Sequence, residues 1–271
     1  MEILISGAST GIGKACAIHM ARLGHSVWAG VRTSKNFEDI NKLDVRSLRP
    51  VYLDVTNDAS VKEGVSTVIK SAGTLHALIN NAGVAIGGPI EAVSLEDWHR
   101  QFETNFFGVI RLTQCCLPWL RESKGRIINM SSLSGRLAFP FMGPYAASKF
   151  ALEALSDSLR REMRPHGVQV SVIEPSAIAT PIWEKSKTEG LGKTAQYSAD
   201  MTAVYGKVMK HFAQRIDDVA RRAAPVTVVT KAVEHALLAR RPRTRYPVGY
   251  RTKPTTLLLN VLPDAWVDRA F

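Results

Sequence analysis

Cysteine is scarce in this 271-residue chain: three residues, Cys16 and the neighbours Cys115 and Cys116. Their spacing fits neither a metal site nor a disulfide framework, which excludes a cross-linked secreted scaffold and reads them as reduced core thiols of a cytoplasmic protein. The seven histidines are scattered without ligand pairing, so no metal is expected. No apolar run approaches the roughly 18 residues of a membrane span. Met1 leads directly into an apolar strand, leaving no room for the charged and apolar regions of a signal peptide. Nothing rich in Gly, Ser or Pro interrupts the chain as a linker, and no repeat divides it. Residues 1–271 are therefore expected to form one domain with a sizeable core.

Acidic residues are also short, 24 against 35 basic, for a formal net charge of +11. Residues 201–271 hold 13 basic and 5 acidic side chains, densest at Arg240-Arg241-Pro242-Arg243-Thr244-Arg245. Apolar residues follow, among them Leu257, Leu258, Leu259, Trp266 and Phe271. A basic segment at about 240–271 with such neighbours could rest on an anionic membrane surface. A solvated strip, beside a segment packed on the domain or in an oligomer interface, is the favoured reading. Nucleic acid has only the charge behind it, and none is expected.

What the chain does contain is a phenol and an ammonium in helical register. Tyr145 and Lys149 stand four residues apart at the start of a run, Lys149 to Met163, rich in Ala, Leu, Glu and Arg and free of Gly and Pro. That spacing puts both on one helix face. A fixed cation beside a phenol is expected to pull its pKa down from about 10 toward the range of a general acid–base. Ser132, at a neighbouring strand end, is placed to hold a substrate oxygen.

A second pattern opens the chain. The apolar run Glu2-Ile3-Leu4-Ile5 meets Ser6-Gly7-Ala8-Ser9-Thr10-Gly11-Ile12-Gly13, and a helical pattern from Lys14 to Leu23 follows. Strand, glycine-rich turn and helix in that order form a phosphate cradle, with close backbone approach and free N–H groups at a helix N-terminus. Further apolar runs at 26–31, 51–53, 77–79, 126–130 and 168–173 alternate with helical stretches at 60–71, 95–120 and 145–164. Such alternation predicts a Rossmann-like, doubly wound parallel sheet with helices on both faces and ligands at the carboxyl ends of the strands. Asp54, Asn80, Ser132 and Glu174 fall at or just after such ends, whereas Asn105 falls inside a helical stretch.

On these motifs, together with Asp54-Val55, Asn80-Asn81-Ala82-Gly83 and Glu174-Pro175-Ser176, the chain resembles the short-chain dehydrogenase/reductase family over nearly its whole length. The resemblance implies a dehydrogenase in which Tyr145 donates or accepts the proton and Ser132 orients the substrate oxygen. Lys149 would hold the nicotinamide ribose and depress the Tyr145 pKa, and Asn105 would anchor a water that relays protons to Lys149. Gly7, Ser9, Thr10, Gly11, Ile12 and Gly13 would cradle the cofactor phosphates. Asp54 and Val55 would flank the adenine, and Asn81, Ala82 and Gly83 would line the cofactor. Pro175 and Thr180 would reach the carboxamide end. The chain departs from the family's pattern with Ser6 in place of Thr and Ser176 in place of Gly. Ser176 is expected to narrow the site. The long helices carrying Asn105 and Tyr145 form contacts in many relatives, which implies a homodimer or homotetramer.

The second strand ends Ala29-Gly30-Val31-Arg32-Thr33-Ser34-Lys35, without the acidic residue that would take a ribose 2′-hydroxyl. An arginine fork suits a 2′-phosphate, so NADP(H) is expected over NAD(H). Phe139, Phe141 and Met142 would make the segment over the substrate apolar, and a lid at about 181–222 would add Trp183, Tyr197, Met201, Tyr205, Met209 and Phe212. Together these favour a bulky apolar ligand. Finer resemblance, in Ser148 to Met163, Tyr52 to Thr56 and Arg245-Tyr246-Pro247-Val248-Gly249, points to the branch of retinol, 17β-hydroxysteroid and 3-hydroxybutyrate dehydrogenases. A steroid-, retinoid- or lipid-like carbonyl is the expected substrate, with a small hydroxy acid or a non-catalytic NADP-binding sensor as alternatives.

Overall fold

The computed structural model describes residues 1–182, 188, 192, 197–249, 252, 255 and 262–269. Seven parallel strands form one sheet: β1 (Glu2–Ile5), β2 (Ser26–Val31), β3 (Leu48–Tyr52), β4 (Ala77–Asn80), β5 (Arg126–Met130), β6 (Gln169–Pro175) and β7 (Arg245–Val248). Their order is β3-β2-β1-β4-β5-β6-β7, so the order reverses between β1 and β4, where a crevice opens at the carboxyl ends.

Alternation along the strands divides the core. Ile3, Ile5, Ala77, Ile79 and Ile128 pack on one face with α1 (Gly11–Arg22) and α8 (Thr227–Leu238). Leu4, Leu78 and Ile127 point the other way, toward α3 (Asp58–Ala72), α5 (Gly108–Glu122) and α6 (Gly143–Met163). Full burial of each such side chain stabilises by about 1.5–3 kcal/mol. The three cysteines are free thiols, and burial pushes Cys16 up to about 12, as suits an inert core group.

Several bounds differ from the sequence expectation for identifiable reasons. The third strand begins at Leu48 rather than Val51 because Pro50 sits on an edge strand, where a missing N–H is tolerated. The opposite edge, β7, carries Pro247 and reads poorly as a strand from its sequence. Eight residues suffice for α2 (Ser34–Asn41) because Thr33 caps it, its Oγ1 accepting from Asn36 N at 3.2 Å. The long helix expected over 95–120 is two: α4 (Leu95–Phe102) and α5, joined by a π-helical turn, Glu103–Phe107, that contains Asn105. Two further helices are α7 (Ala199–Arg221) and α9 (Asp264–Asp268).

Of the expected lid, Trp183 lies outside the described residues. The α7 part docks over the segment after Ser132: Phe212 meets Phe141 edge-on at 5.4 Å, and the Tyr205 hydroxyl donates to Glu91 at 2.8 Å. Met209 is buried beneath α7, whereas Val204 and Val208 are exposed. Among the described residues no helix is long and apolar enough to cross a membrane. Leu257 to Leu259 and Phe271 lie outside the described residues, and Trp266 is exposed. The basic run does not all face water. Arg240, Arg241 and Arg243 do, but Arg245 turns inward.

Candidate active site

A cavity of about 320 Å³ lies along the carboxyl ends of the strands. At its floor, the turn after β1 passes close beneath the loop after β4. Gly7 adopts φ +63°, and a Cβ there would come within 2.7 Å of Ala82 Cα. Ser6 Oγ accepts from the backbone N–H groups of Asn81 and Ala82 at 3.0 and 3.1 Å. The hydroxyl that replaces threonine thus keeps a locking role. Asn81 Nδ2 returns two bonds, to the carbonyls of Ser6 and Gly7, both at 3.0 Å. Gly13 serves this packing, since a Cβ would clash with Asn81 Nδ2 and the Gly7 carbonyl.

The lining brings together most of the expected set: Gly7, Ser9, Thr10, Gly11 and Ile12 from the turn, Arg32 at the β2 corner, and Val55. Asn81, Ala82 and Gly83, then Ser132, Tyr145, Lys149, Pro175 and Thr180, complete it. Three expected contacts fall outside. Gly13 lies beneath the turn. Asp54 spends its Oδ1 on Thr56, accepting from the backbone N at 3.0 Å and from Oγ1 at 2.7 Å. Asn105 is fully buried behind the wall.

Asn105 braces rather than faces the cavity. Its Oδ1 accepts from Val84 N at 2.9 Å, and its Nδ2 donates to the Val84 carbonyl at 3.0 Å and to Ser148 Oγ at 3.3 Å. The side chain thereby ties the loop after β4 to α6, and the π-helical turn aims it there; such turns recur at functional sites. The side-chain amide is thus engaged by Val84 and Ser148.

At the chemical end, Ser132 Oγ hydrogen-bonds the Tyr145 phenol, and it reaches the Pro175 carbonyl at 3.4 Å. Lys149, 5% exposed, donates from Nζ to the Met130 carbonyl at 2.8 Å and stands 5.8 Å from the Tyr145 ring centroid. The expected fall in the phenol pKa is not what this arrangement produces. Burial pushes Tyr145 above its ordinary value, with the Ser132 hydrogen bond acting in the opposite sense. Burial likewise drives Lys149 down to about 8, against the charge of Glu153. An ammonium weakened by its own desolvation, and held on a carbonyl, does not offset the desolvation of the phenol. Such a phenol is a proton donor at neutral pH.

Ser176 lines the cavity, but its Oγ lies against Gly249, at φ +107°, where a Cβ would clash with it. The hydroxyl is turned aside rather than into the space.

Sequence reasoning missed the support beneath this end. Glu153 and Asp157 continue the Tyr145–Lys149 stripe of α6 at four-residue steps, a signal visible in the sequence. Arg245 of β7 reaches Glu153 at 3.0 Å, Asp157 at 2.9 Å and Glu174 at 3.3 Å. The arginine fork thus pins the catalytic helix to β6 and β7. Asn36 at the Arg32 corner was also missed, and its place follows from the Thr33 cap.

A cleft open along the strand ends, with a glycine cradle at the turn and a hydroxyl, phenol and ammonium toward β5 and β6, has room and donors for a dinucleotide. Relatives agree. The family model for short chain dehydrogenase matches residues 2–190. Retinol dehydrogenase 5 of Mus musculus is 36% identical over 279 residues, covering 98% of this chain and 86% of that protein. The NADPH-dependent 3-dehydrocapnine reductase of Ornithobacterium rhinotracheale is 33% identical, covering 99% of this chain and 95% of that one. A short-chain dehydrogenase/reductase from Burkholderia phymatum, solved in complex with NAD, superposes with a TM-score of 0.80 at 25% identity, covering 99% of this chain and 94% of that one. The chain belongs to the short-chain dehydrogenase family of oxidoreductases.

Proposed function

We propose that this enzyme interconverts a ketone or aldehyde with an alcohol, using NADP(H), on a bulky apolar substrate. The observation that carries the reading is one continuous cavity lined by Ser132, Tyr145 and Lys149 and, around β2, by Arg32, Thr33 and Asn36. Strands β2 and β5 are separated by β1 and β4, so these groups stand three strand spacings apart, about 14 Å. When bound, the nicotinamide supplies or accepts the hydride. Ser132 holds the substrate oxygen against Tyr145, and the phenol gives that oxygen its proton in reduction or removes it in oxidation. Lys149, with its pKa near 8, restores the proton balance of Tyr145. Asn105 keeps the loop after β4 and α6 in register, and Gly7 to Ile12 hold the cofactor phosphates.

NADP(H) is favoured by chemistry at the β2 corner. Arg32 offers a planar fork there, and no carboxylate ends β2 to repel a 2′-phosphate. Arg32 lines the cavity and Lys35 does not, which favours Arg32 as the discriminating cation. The NADPH dependence named for the capnine reductase fits this assignment. An apolar substrate is favoured by Phe141 and Phe212, which meet at the docking face of α7, which we take as the lid, by the buried Met142 next to Phe141, and by the retinol dehydrogenase relative. Assembly into dimers or tetramers belongs to the same proposal, supported by the half-exposed Phe107 and Phe150 beside the Asn105 turn and on α6.

The test is cofactor oxidation, followed by absorbance, with steroid ketones, retinal and acetoacetate, each with NADPH and NADH. Turnover of a bulky ketone or retinal with NADPH is expected. Activity confined to acetoacetate would replace the apolar substrate by a small keto acid, and equal rates with NADH would remove the role given to Arg32.

A further inference from the structure

Two carboxylates are buried directly behind the catalytic end. Glu174, 2% exposed, lies one residue before Pro175, whose carbonyl receives Ser132. Glu153, 6% exposed, lies one turn after Lys149. Both approach the same nitrogen, Arg245 Nε, at 3.0 Å for Glu153 and 3.3 Å for Glu174, so the two acids share one close cation. Among the described residues, neither Glu153 Oε1 nor Glu174 Oε1 accepts a hydrogen bond of good geometry. Gly135 leaves room for the Glu153 side chain: a Cβ there would stand 3.1 Å from Glu153 Cγ and 2.7 Å from Ser131 Oγ.

The charges facing Glu174 come from three directions. The α6 stripe contributes Glu153 and Asp157, β7 contributes Arg245, and the segment after Ser132 contributes Arg136, whose guanidinium is 3.8 Å away. Asp157 is more exposed and shared with Arg160. Like charges on one guanidinium disfavour double ionisation. Burial and then the charge of Glu153 push the Glu174 carboxyl up to about 7, against Arg136 and Arg245.

We propose that Glu174 is a positioning residue of the enzyme, holding Pro175 and, through Arg245 and Glu153, the charge around Lys149, so that its ionisation shapes the pH dependence of turnover. The route is short. Glu153 is the charged side chain that favours protonated Lys149. When Glu174 ionises, a second negative charge joins Glu153, and Lys149 keeps its proton to higher pH. A protonated Lys149, 5.8 Å from the Tyr145 ring centroid, works against the burial that keeps the phenol protonated. It so increases the small share of phenolate, the form that takes a proton from an alcohol. Oxidation of alcohol therefore gains a limb that rises as pH passes through neutrality. This inference rests on the oxidoreductase chemistry proposed above.

Linkage supplies a second readout that needs no substrate. A carboxyl raised from 4.5 to about 7 on folding contributes stability below 4.5 that is lost as pH rises through about 7. The experiment compares wild type, Glu174→Gln and Arg136→Gln by pH–rate profile and by unfolding temperature against pH. The neutral limb and the matching fall in unfolding temperature are expected in wild type and absent in Glu174→Gln. In Arg136→Gln, which lies outside the cavity lining, both are expected to move to higher pH, because a cation favouring ionised Glu174 is gone. Should Glu174→Gln fail to fold, the direction of the Arg136→Gln shift decides. A limb that persists in Glu174→Gln, or stays in place in Arg136→Gln, overturns the proposal. An enzyme silent on every substrate, with the stability titration as expected, would count against the proposed reaction and leave the buried ionisation standing.

Discussion

The β2 corner of the cavity and its β5–β6 end are built on opposite principles. At the corner, Arg32, Thr33, Ser34 and Lys35 are exposed, held by a short capped helix and the backbone of the glycine turn. At the other end, Lys149 and Glu174 are buried; burial drives Lys149 down to about 8 against the charge of Glu153, and burial together with that charge pushes Glu174 up to about 7. Solvated charges select by attraction and are weakened by salt. Buried ones respond to every neighbour and titrate where chemistry needs them. On the proposed function, the comparison separates two tasks: the corner would recognise the cofactor, and the buried end would move protons.

The sharpest break comes from Tyr145→Phe. Turnover should fall by about two orders of magnitude or more, the scale of a lost general acid, with cofactor affinity nearly unchanged. Steady-state rates and cofactor fluorescence in one preparation check both halves. Gly13→Ala should come next, since its Cβ meets the Gly7 carbonyl and Asn81 Nδ2. Overpacking of that kind costs about 1–3 kcal/mol, read by denaturant unfolding, and it should weaken cofactor binding as well. Arg32→Asp should lower the preference for NADPH over NADH about ten- to a hundredfold, as one charge-assisted contact is lost and a repulsion gained. The smallest effect belongs to Thr33→Ala, which removes the α2 cap and should cost about 1 kcal/mol of stability with chemistry intact.

Much of this division is visible in the sequence, because it follows local rules. The glycine turn, the Tyr145–Lys149 step and the acid-free end of β2 are set by neighbours along the chain, and all lie where such rules place them. What escapes is tertiary. Asn105 looks like one more helical residue until the π-helical turn delivers it to Val84 and Ser148. Arg245 reads as part of a solvated basic run, yet sheet closure through β7 carries it onto Glu153, Asp157 and Glu174. The direction of the Tyr145 shift depends on burial, which no spacing of residues reveals. Pro50 and Pro247 disguise both edge strands for a related reason: whether a missing N–H matters depends on which neighbour the strand has.

The separation of recognition from proton transfer is tested most directly by a cycle of Arg32→Asp, Tyr145→Phe and the double variant. Turnover at saturating cofactor, and affinity for NADPH and NADH, would be measured for each. The account predicts that Arg32→Asp changes only cofactor preference, that Tyr145→Phe changes only turnover, and that the two effects add in the double variant within about 0.5 kcal/mol. A Tyr145→Phe enzyme that turns over normally, or an Arg32→Asp enzyme whose saturated turnover collapses with preference unaltered, would contradict it.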